Sequence, residues 1–368
     1  MAWFCEKKSY MLSQYALNFH TANAGQNMTE SKNSAILRAT SEPPDYGPAP
    51  ELTRAQRLEW YRKMVLVRRF EERAYQSYQT GLIGGFCHLY NGQEAVAAGI
   101  FSTIRESDPV ITAYRDHAHG LMRGIRPGPA MAELYGRATG VVKGKGGSMH
   151  YFDVAKGMWG GHGIVGGQTP LGLGLAFAAK YRGEDKVCVC FLGDGAVNQG
   201  AFHESLNLAQ LWKIPVVYAI ENNKYSMGTA VERHAAPVDL YKRAAGYEML
   251  GVQVDGNDFN AVREATWTVT ERARRESLPA ILELVTYRYR GHSMSDPQHY
   301  RTKEEVEENR RRDPLEALRR DIREEGLIAD PELEAMEEAV RQEVVEAHEF
   351  AAASPYPSAS EIFTDVFA

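Results

Sequence analysis

The chain has 368 residues, with 42 Lys+Arg against 48 Asp+Glu for a formal net charge of −6, and 44% of its residues are hydrophobic. That is ample apolar material for two or three domains, or for one large domain with appendages; it argues against a disordered chain, and the slight acidic excess argues against a nucleic-acid binder. No run approaches the ~18 apolar residues of a spanning helix, and the 4 cysteines are too few for a disulfide scaffold, which makes a reducing compartment the simplest setting.

Residues 1–50 read as a flexible leader, poor in apolar periodicity and ending in a Pro-rich stretch from Pro43 to Pro50. The body, 51–368, opens with a capping box, Thr53 and Gln56, after which Leu58, Tyr61 and Val65 recur at helical spacing. A glycine-rich centre runs from Gly140 to Gly174, and Tyr151–Trp159 within it does not read as a strand. Beyond it, strand and helix patterns alternate. Val187–Leu192 is a buried strand with Cys188 and Cys190 facing inward. Phe202, Leu206 and Ala209 mark a helix face, and Pro215–Ile220 is a second strand. A helical stretch, Ala261–Arg275, leads to a strand at Ala280–Thr286. This alternation predicts an α/β fold, a mainly parallel sheet with helices on both faces. The last part turns helical and charged. Thr302 to Glu305 reads as a capping box, and Asp313-Pro314 and Asp330-Pro331 each read as an N-cap followed by proline. Leu315, Leu318 and Ile322 form one apolar stripe; Met336, Val340 and Val344 form another.

Three glycine clusters compete for attention. The first, Gly140 to Ser148, has the look of a phosphate loop, but its spacing is one residue short and Lys145 is followed by glycine. The second, Gly161-His162-Gly163-Ile164-Val165-Gly166, matches G-x-G-x-x-G without the strand and acid that a dinucleotide site needs, so a nicotinamide-dependent dehydrogenase stays open only as a distant alternative. The third follows strand Val187–Leu192: Gly193-Asp194-Gly195-Ala196 opens a helix, and the next strand runs into Glu221-Asn222-Asn223. Two adjacent parallel strands then end with Asp194 and Asn223 at one sheet edge, where α/β folds bind ligands. A carboxylate and an amide oxygen there suit a hard cation such as Mg²⁺, and the helix start beside them offers amides to a phosphate.

This third cluster is similar to the signature of thiamine diphosphate enzymes. Four further stretches, Gly85 to Tyr90, Lys145 to His150, Gly163 to Gly166 and Tyr287 to Pro297, closely resemble the alpha subunits of the pyruvate dehydrogenase (acetyl-transferring) family, over a span from about Leu58 to the C-terminus. The resemblance implies a thiamine diphosphate-binding fold, with its core over about 85–300 and a helical tail over about 302–353. It implies that Asp194, the Asn223 side chain and the Tyr225 carbonyl hold Mg²⁺. Gly195, Ala196 and Gln199 would lie by the diphosphate, with Tyr114, Arg115 and Arg288 offsetting its charge. Gly163 and Val165 would meet the aminopyrimidine, Ala155 would flank the same cleft, and His88 and His292 would face the reacting carbon as acid–base groups.

The implied reaction is the oxidative decarboxylation of pyruvate, with release of CO₂ and passage of the acetyl group to the lipoyl group of an acyltransferase component. The acid that activates the pyrimidine in this family belongs to a beta subunit, so the resemblance implies an α2β2 assembly with the site at the interface. Glu94 reads as an ordinary helix start. Branched-chain 2-oxo acids and acetoin are the near alternatives as substrates. Ser293 matches a position that kinases modify in mitochondrial relatives, but Ala230 stands near where those relatives carry another such serine. That departure favours a bacterial, cytoplasmic enzyme over one of the mitochondrial matrix.

Overall fold

A computed structural model describes residues 35–366. In chain order its strands are β1 (Ile36–Ala39), β2 (Val110–Ala113), β3 (Met158–His162), β4 (Cys188–Gly193), β5 (Val216–Asn222), β6 (Tyr225–Ser226), β7 (Thr229–Ala230), β8 (Leu250–Asp255) and β9 (Ala280–Val285). β6 and β7 make a small antiparallel ribbon; the other seven form one sheet in the order β1-β8-β9-β5-β4-β2-β3. All its pairings are parallel except the one that adds β1 at the edge.

The central strands are mostly apolar because both of their faces are covered, with Glu283 of β9 a buried exception. On β4, Val189 and Phe191 enter the larger of two buried clusters, while Cys188, Cys190 and Leu192 enter the other. The inward reading of the two cysteines is therefore correct. Helix Gly200–Leu211 buries Phe202, Leu206 and Ala209 as its spacing predicts. Helix Arg54–Gln79 is capped by Thr53 with both halves of the box formed. The long C-terminal helix, Asp330–Ala353, returns to it: the Tyr61 hydroxyl donates to Glu337 at 2.6 Å, and Arg62 pairs with Glu343 at 2.6 Å.

The structure differs from the sequence reading at several places. β1 lies inside the stretch read as leader, where Arg38 pairs with Asp239 at 3.2 Å and Ala49 is buried; residues 1–34 lie outside the described residues. Four residues on a sheet edge carry too short a pattern to read. β3 exists and leads into the second glycine cluster, although three of its five residues are Gly160, Gly161 and His162. Gly161 is required there, since a Cβ would fall on the Asp116 carboxylate and the Met149 carbonyl. Thr302 does cap Glu305 N–H, but the Glu305 side chain accepts from the hydroxyls of Tyr225 and Tyr287 instead of completing a box. Asp330 is the first helical residue rather than the cap, and it pairs with Arg323 at 2.6 Å.

After β2 the chain moves outward to β3, and after β4 it moves the opposite way to β5. The carboxyl ends of β2 and β4 therefore bound the crevice where connections diverge, which is where open α/β sheets bind ligands.

Candidate active site at the carboxyl edge of the sheet

The strand ends deliver most of the predicted residues to one edge. Tyr114 and Arg115 follow β2, Gly163 follows β3, Asp194 follows β4, Asn223 follows β5 and Arg288 lies shortly after β9. Gly193 of β4 is in register with Glu221 of β5, so Asp194 and Asn223 leave the sheet side by side, as the spacing predicts. The second and third glycine clusters meet here: a Cβ on Gly166, whose φ is +81°, would strike the Gln199 side chain. Gly195 is pressed against Ser226, whose Oγ would lie 1.9 Å from an added Cβ. The β6–β7 ribbon thus packs directly on the Asp194-Gly195 turn. Ala196 is buried in the same turn, while Val165 is partly exposed at the rim.

Oxygens converge at this edge. The Asn223 Oδ1 and the Tyr225 carbonyl both accept from one nitrogen, Arg288 Nη1, at 3.1 and 2.9 Å. Arg288 is almost wholly buried, and its Nη2 donates to the Met227 carbonyl and the Tyr300 hydroxyl. The buried Asp194 carboxylate lies 3.1 Å from His234 Nε2. Asn223 Nδ2 donates to Gln93 Oε1 at 3.0 Å, which fixes the amide so that Oδ1 faces Arg288.

His88 and His292 face each other with ring centroids 5.1 Å apart, and Tyr114 lies against both, 4.5 Å from the first ring and 5.7 Å from the second. The Tyr114 hydroxyl is 3.4 Å from His292 Nε2. Arg115 ties the two histidine segments together, donating to the Leu89 carbonyl at 2.6 Å and the His292 carbonyl at 2.9 Å. Burial, with the nearby Arg115 charge, pushes the His88 imidazole down to about 2 and that of His292 to about 3. Both rings are therefore neutral at pH 7. The Nδ1 of each is buried without a hydrogen-bond partner among the described residues.

One predicted residue lies elsewhere. Ala155 does not flank this cleft. It precedes β3, exposed beside Pro109, Trp159 and Lys186, at the amino edge of the sheet. A five-residue strand, at ~3.3 Å per residue, lies between it and the carboxyl edge. The first glycine cluster holds an anion after all, but an internal one. The buried Glu133 carboxylate accepts four backbone N–H groups, those of Val142 and Gly144 on Oε2 and those of Gly146 and Gly147 on Oε1, at 2.7–3.0 Å. Glu94 is the first residue of helix Glu94–Phe101, as expected, and is fully buried and paired with Arg68 at 2.6 Å.

Sequence reasoning missed Gln93 and His234. The Gln93–Asn223 contact joins residues 130 apart, and a helix-start glutamine carries no signal of it. His234 falls in a one-turn helix, Val231–His234, that no periodicity announces.

Known proteins resemble this chain over most of its length. The dehydrogenase E1 component pattern matches residues 62–360. The chain belongs to the dehydrogenase E1 component family. It is 50% identical over 315 residues to the pyruvate dehydrogenase E1 component subunit alpha of Rickettsia conorii, covering 86% of this chain and 97% of that one. The subunit of the same name from Rhizobium meliloti is 50% identical over 321 residues, covering 87% and 92%. The mitochondrial subunit of Dictyostelium discoideum is 49% identical over 312 residues, covering 84% and 82%. Membership in the E1 family does not favour the nicotinamide alternative. No helix among the described residues of this E1 chain is long and apolar enough to cross a membrane.

Proposed function

We propose that this chain is the alpha subunit of the decarboxylating component of a pyruvate dehydrogenase complex. It oxidatively decarboxylates pyruvate and passes the acetyl group to the lipoyl group of an acyltransferase component, releasing CO₂. The observation that carries the reading is the gathering, at one sheet edge, of an oxygen set from Asp194, Asn223 and Tyr225 beside two neutral, closely facing histidines.

The residues fit Mg²⁺ and thiamine diphosphate. The Asn223 and Tyr225 oxygens already converge on one positive group, and a carboxylate, an amide and a carbonyl oxygen are hard ligands of the kind Mg²⁺ takes. Asp194, Asn223 and the Tyr225 carbonyl would hold the metal. Gly195, Ala196 and Gln199 would lie along the diphosphate, with Tyr114, Arg115 and Arg288 offsetting its charge. Gly163 and Val165 would offer backbone groups to the pyrimidine. When bound, the cofactor supplies a carbon nucleophile and an electron sink. His88 and His292 are neutral in their buried setting, which suits them to hydrogen bonding with the reacting groups. In the tautomer that carries N–H, each can donate to the substrate carbonyl oxygen as it gains charge.

A second chain completes the site in this reading. Phe86 beside His88, Met227 beside Arg288, and Ile164 and Val165 in the second glycine cluster are exposed apolar residues, a rim suited to cover by another subunit. We infer a beta subunit and an α2β2 heterotetramer, with no nucleic acid or membrane as partner. The bacterial relatives, together with Ala230 in place of a modifiable serine, support a cytoplasmic setting.

The test is reconstitution. The chain co-purified with its beta partner should decarboxylate pyruvate only with thiamine diphosphate and Mg²⁺, and the chain alone should not. Turnover by the isolated chain refutes the shared site. A higher kcat/KM for 2-oxoisovalerate or acetoin than for pyruvate refutes the substrate.

A further inference from the structure

The segment that carries His88 is held from below by a buried side-chain chain that the proposed reaction does not use. Glu71, His117 and Ser148 come from three separate places: the first helix, the start of the short helix His117–Met122 after β2, and the end of the first glycine cluster. All three are buried, Glu71 and His117 at 0% exposure. Glu71 Oε2 lies 3.0 Å from His117 Nδ1, and His117 Nε2 lies 2.8 Å from Ser148 Oγ and 3.0 Å from the Ser148 carbonyl. The two ends of this row grip the histidine segment. Glu71 Oε1 accepts the Tyr90 N–H at 3.1 Å, and Ser148 Oγ accepts the His88 N–H at 3.4 Å.

The carbonyls of the same segment point the other way and are also taken. Cys87 accepts from Met294 N–H at 2.9 Å, Asn91 from Tyr289 N–H at 3.0 Å, and Leu89 from Arg115. Residues 87–91 therefore behave as a strand with a backbone partner on one side and a row of side chains on the other.

We propose that Glu71, His117 and Ser148 form a positioning unit that fixes the backbone of His88, and so sets where its imidazole stands against His292 and the reacting carbon. The arrangement has the order of a Glu–His–Ser nucleophile triad, but its hydroxyl is buried and faces a backbone N–H rather than a substrate, so it positions and does not attack. Both His117 nitrogens meet acceptors, Glu71 on one side and the Ser148 carbonyl on the other, which calls for the imidazolium form. Burial alone would lower the affinity of His117 for its proton, but the Glu71 carboxylate outweighs it and the net shift is upward. The row is thus a buried ion pair with its remaining hydrogen-bond capacity spent on the backbone of the His88 segment, a rigid support for a reacting group.

This inference rests on the reading of His88 as a group facing the reacting carbon, and the experiment separates the two. Three variants, Ser148→Ala, Glu71→Gln and His88→Ala, are assayed in the reconstituted complex, with kcat, pyruvate KM and thiamine diphosphate Kd measured for each. His88→Ala should lower kcat at least ~100-fold. Ser148→Ala should lower kcat ~10- to 100-fold, since a displacement near 1 Å costs about that much. Pyruvate KM and cofactor Kd should stay within ~2-fold, a split that general loosening of the fold does not produce. Glu71→Gln keeps an acceptor for Tyr90 N–H but removes the charge that holds the His117 proton. It should lower kcat less, ~3- to 10-fold, and move the His117 ring ¹⁵N signals from imidazolium to neutral. If Ser148→Ala does not assemble, Glu71→Gln decides by the same readouts. Ser148→Ala or Glu71→Gln at wild-type kcat, with His88→Ala impaired, overturns the positioning unit. Wild-type kcat in His88→Ala overturns the reading beneath it, and this inference with it.

Discussion

Two glycine-rich loops in this chain meet negative charge in opposite ways. The loop Gly140 to Ser148 turns its N–H groups inward onto Glu133, and four of them are consumed by one buried carboxylate. The loop after β4 carries its own acid, Asp194, and sits at the carboxyl edge of the sheet beside Asn223 and Tyr225, so it presents oxygens to the crevice. Glycine serves both, for different reasons. Gly144 and Gly147 adopt φ of +76° and +59° to curl the backbone around the anion, whereas Gly195 is needed because Ser226 leaves no room for a Cβ. A glycine loop is thus a device for close backbone approach, and only what fills it tells whether it builds the fold or a site.

That contrast can be broken from either side. The largest effect is expected in the closed loop. Glu133→Gln sets an NH₂ group against two buried N–H donors, which should cost ~3–4 kcal/mol of unfolding free energy by urea denaturation. A loss below ~1 kcal/mol would mean the loop does not depend on its internal anion. In the open loop the effect should fall on ligand rather than fold. Asp194→Ala is expected to weaken Mg²⁺-dependent thiamine diphosphate binding at least ~100-fold, about 2.7 kcal/mol by calorimetry, and unchanged affinity would remove the metal assignment.

The open edge also carries a pH signature. His88 and His292 take up no proton in the native state until about pH 2 to 3, while in the unfolded chain they do so near pH 6.5. The unfolded state therefore binds more protons in that window, and stability falls as pH falls below about 6.5, by up to ~1.4 kcal/mol per unit for each ring. Between pH 6.5 and 5.5 the drop should be ~1–2 kcal/mol, and His88→Gln with His292→Gln should flatten it; an equal slope in the double variant would show the rings are not held neutral. The smallest effect belongs to the far edge. Ala155→Ser should leave cofactor affinity within ~2-fold, and a larger change would return that residue to the cleft.

Much of this was legible in the residues. The strand at Val187–Leu192 and its neighbour ending at Asn223 were readable because a parallel strand covered on both faces is a continuous apolar run. Their pairing placed Asp194 next to Asn223. β1, β2 and β3 were not readable, being four or five residues long and, in β3, mostly glycine and histidine. Ala155 and Gly163 lie at opposite edges because β3 carries the chain across the sheet between them.

The sequence by itself determined the local patterns: which runs must be buried, which turns must bend, and which acid and amide end adjacent strands. Those follow from periodicity and spacing along one stretch of chain. Only the tertiary structure decided the partners of the charges. Glu133 fills the first glycine loop, Gln93 orients Asn223 from 130 residues away, and Glu71 with His117 and Ser148 underpins His88. The physical reason is that a buried polar group must be satisfied by whatever the fold brings within about 3 Å, and that neighbour is set by packing rather than by position in the chain.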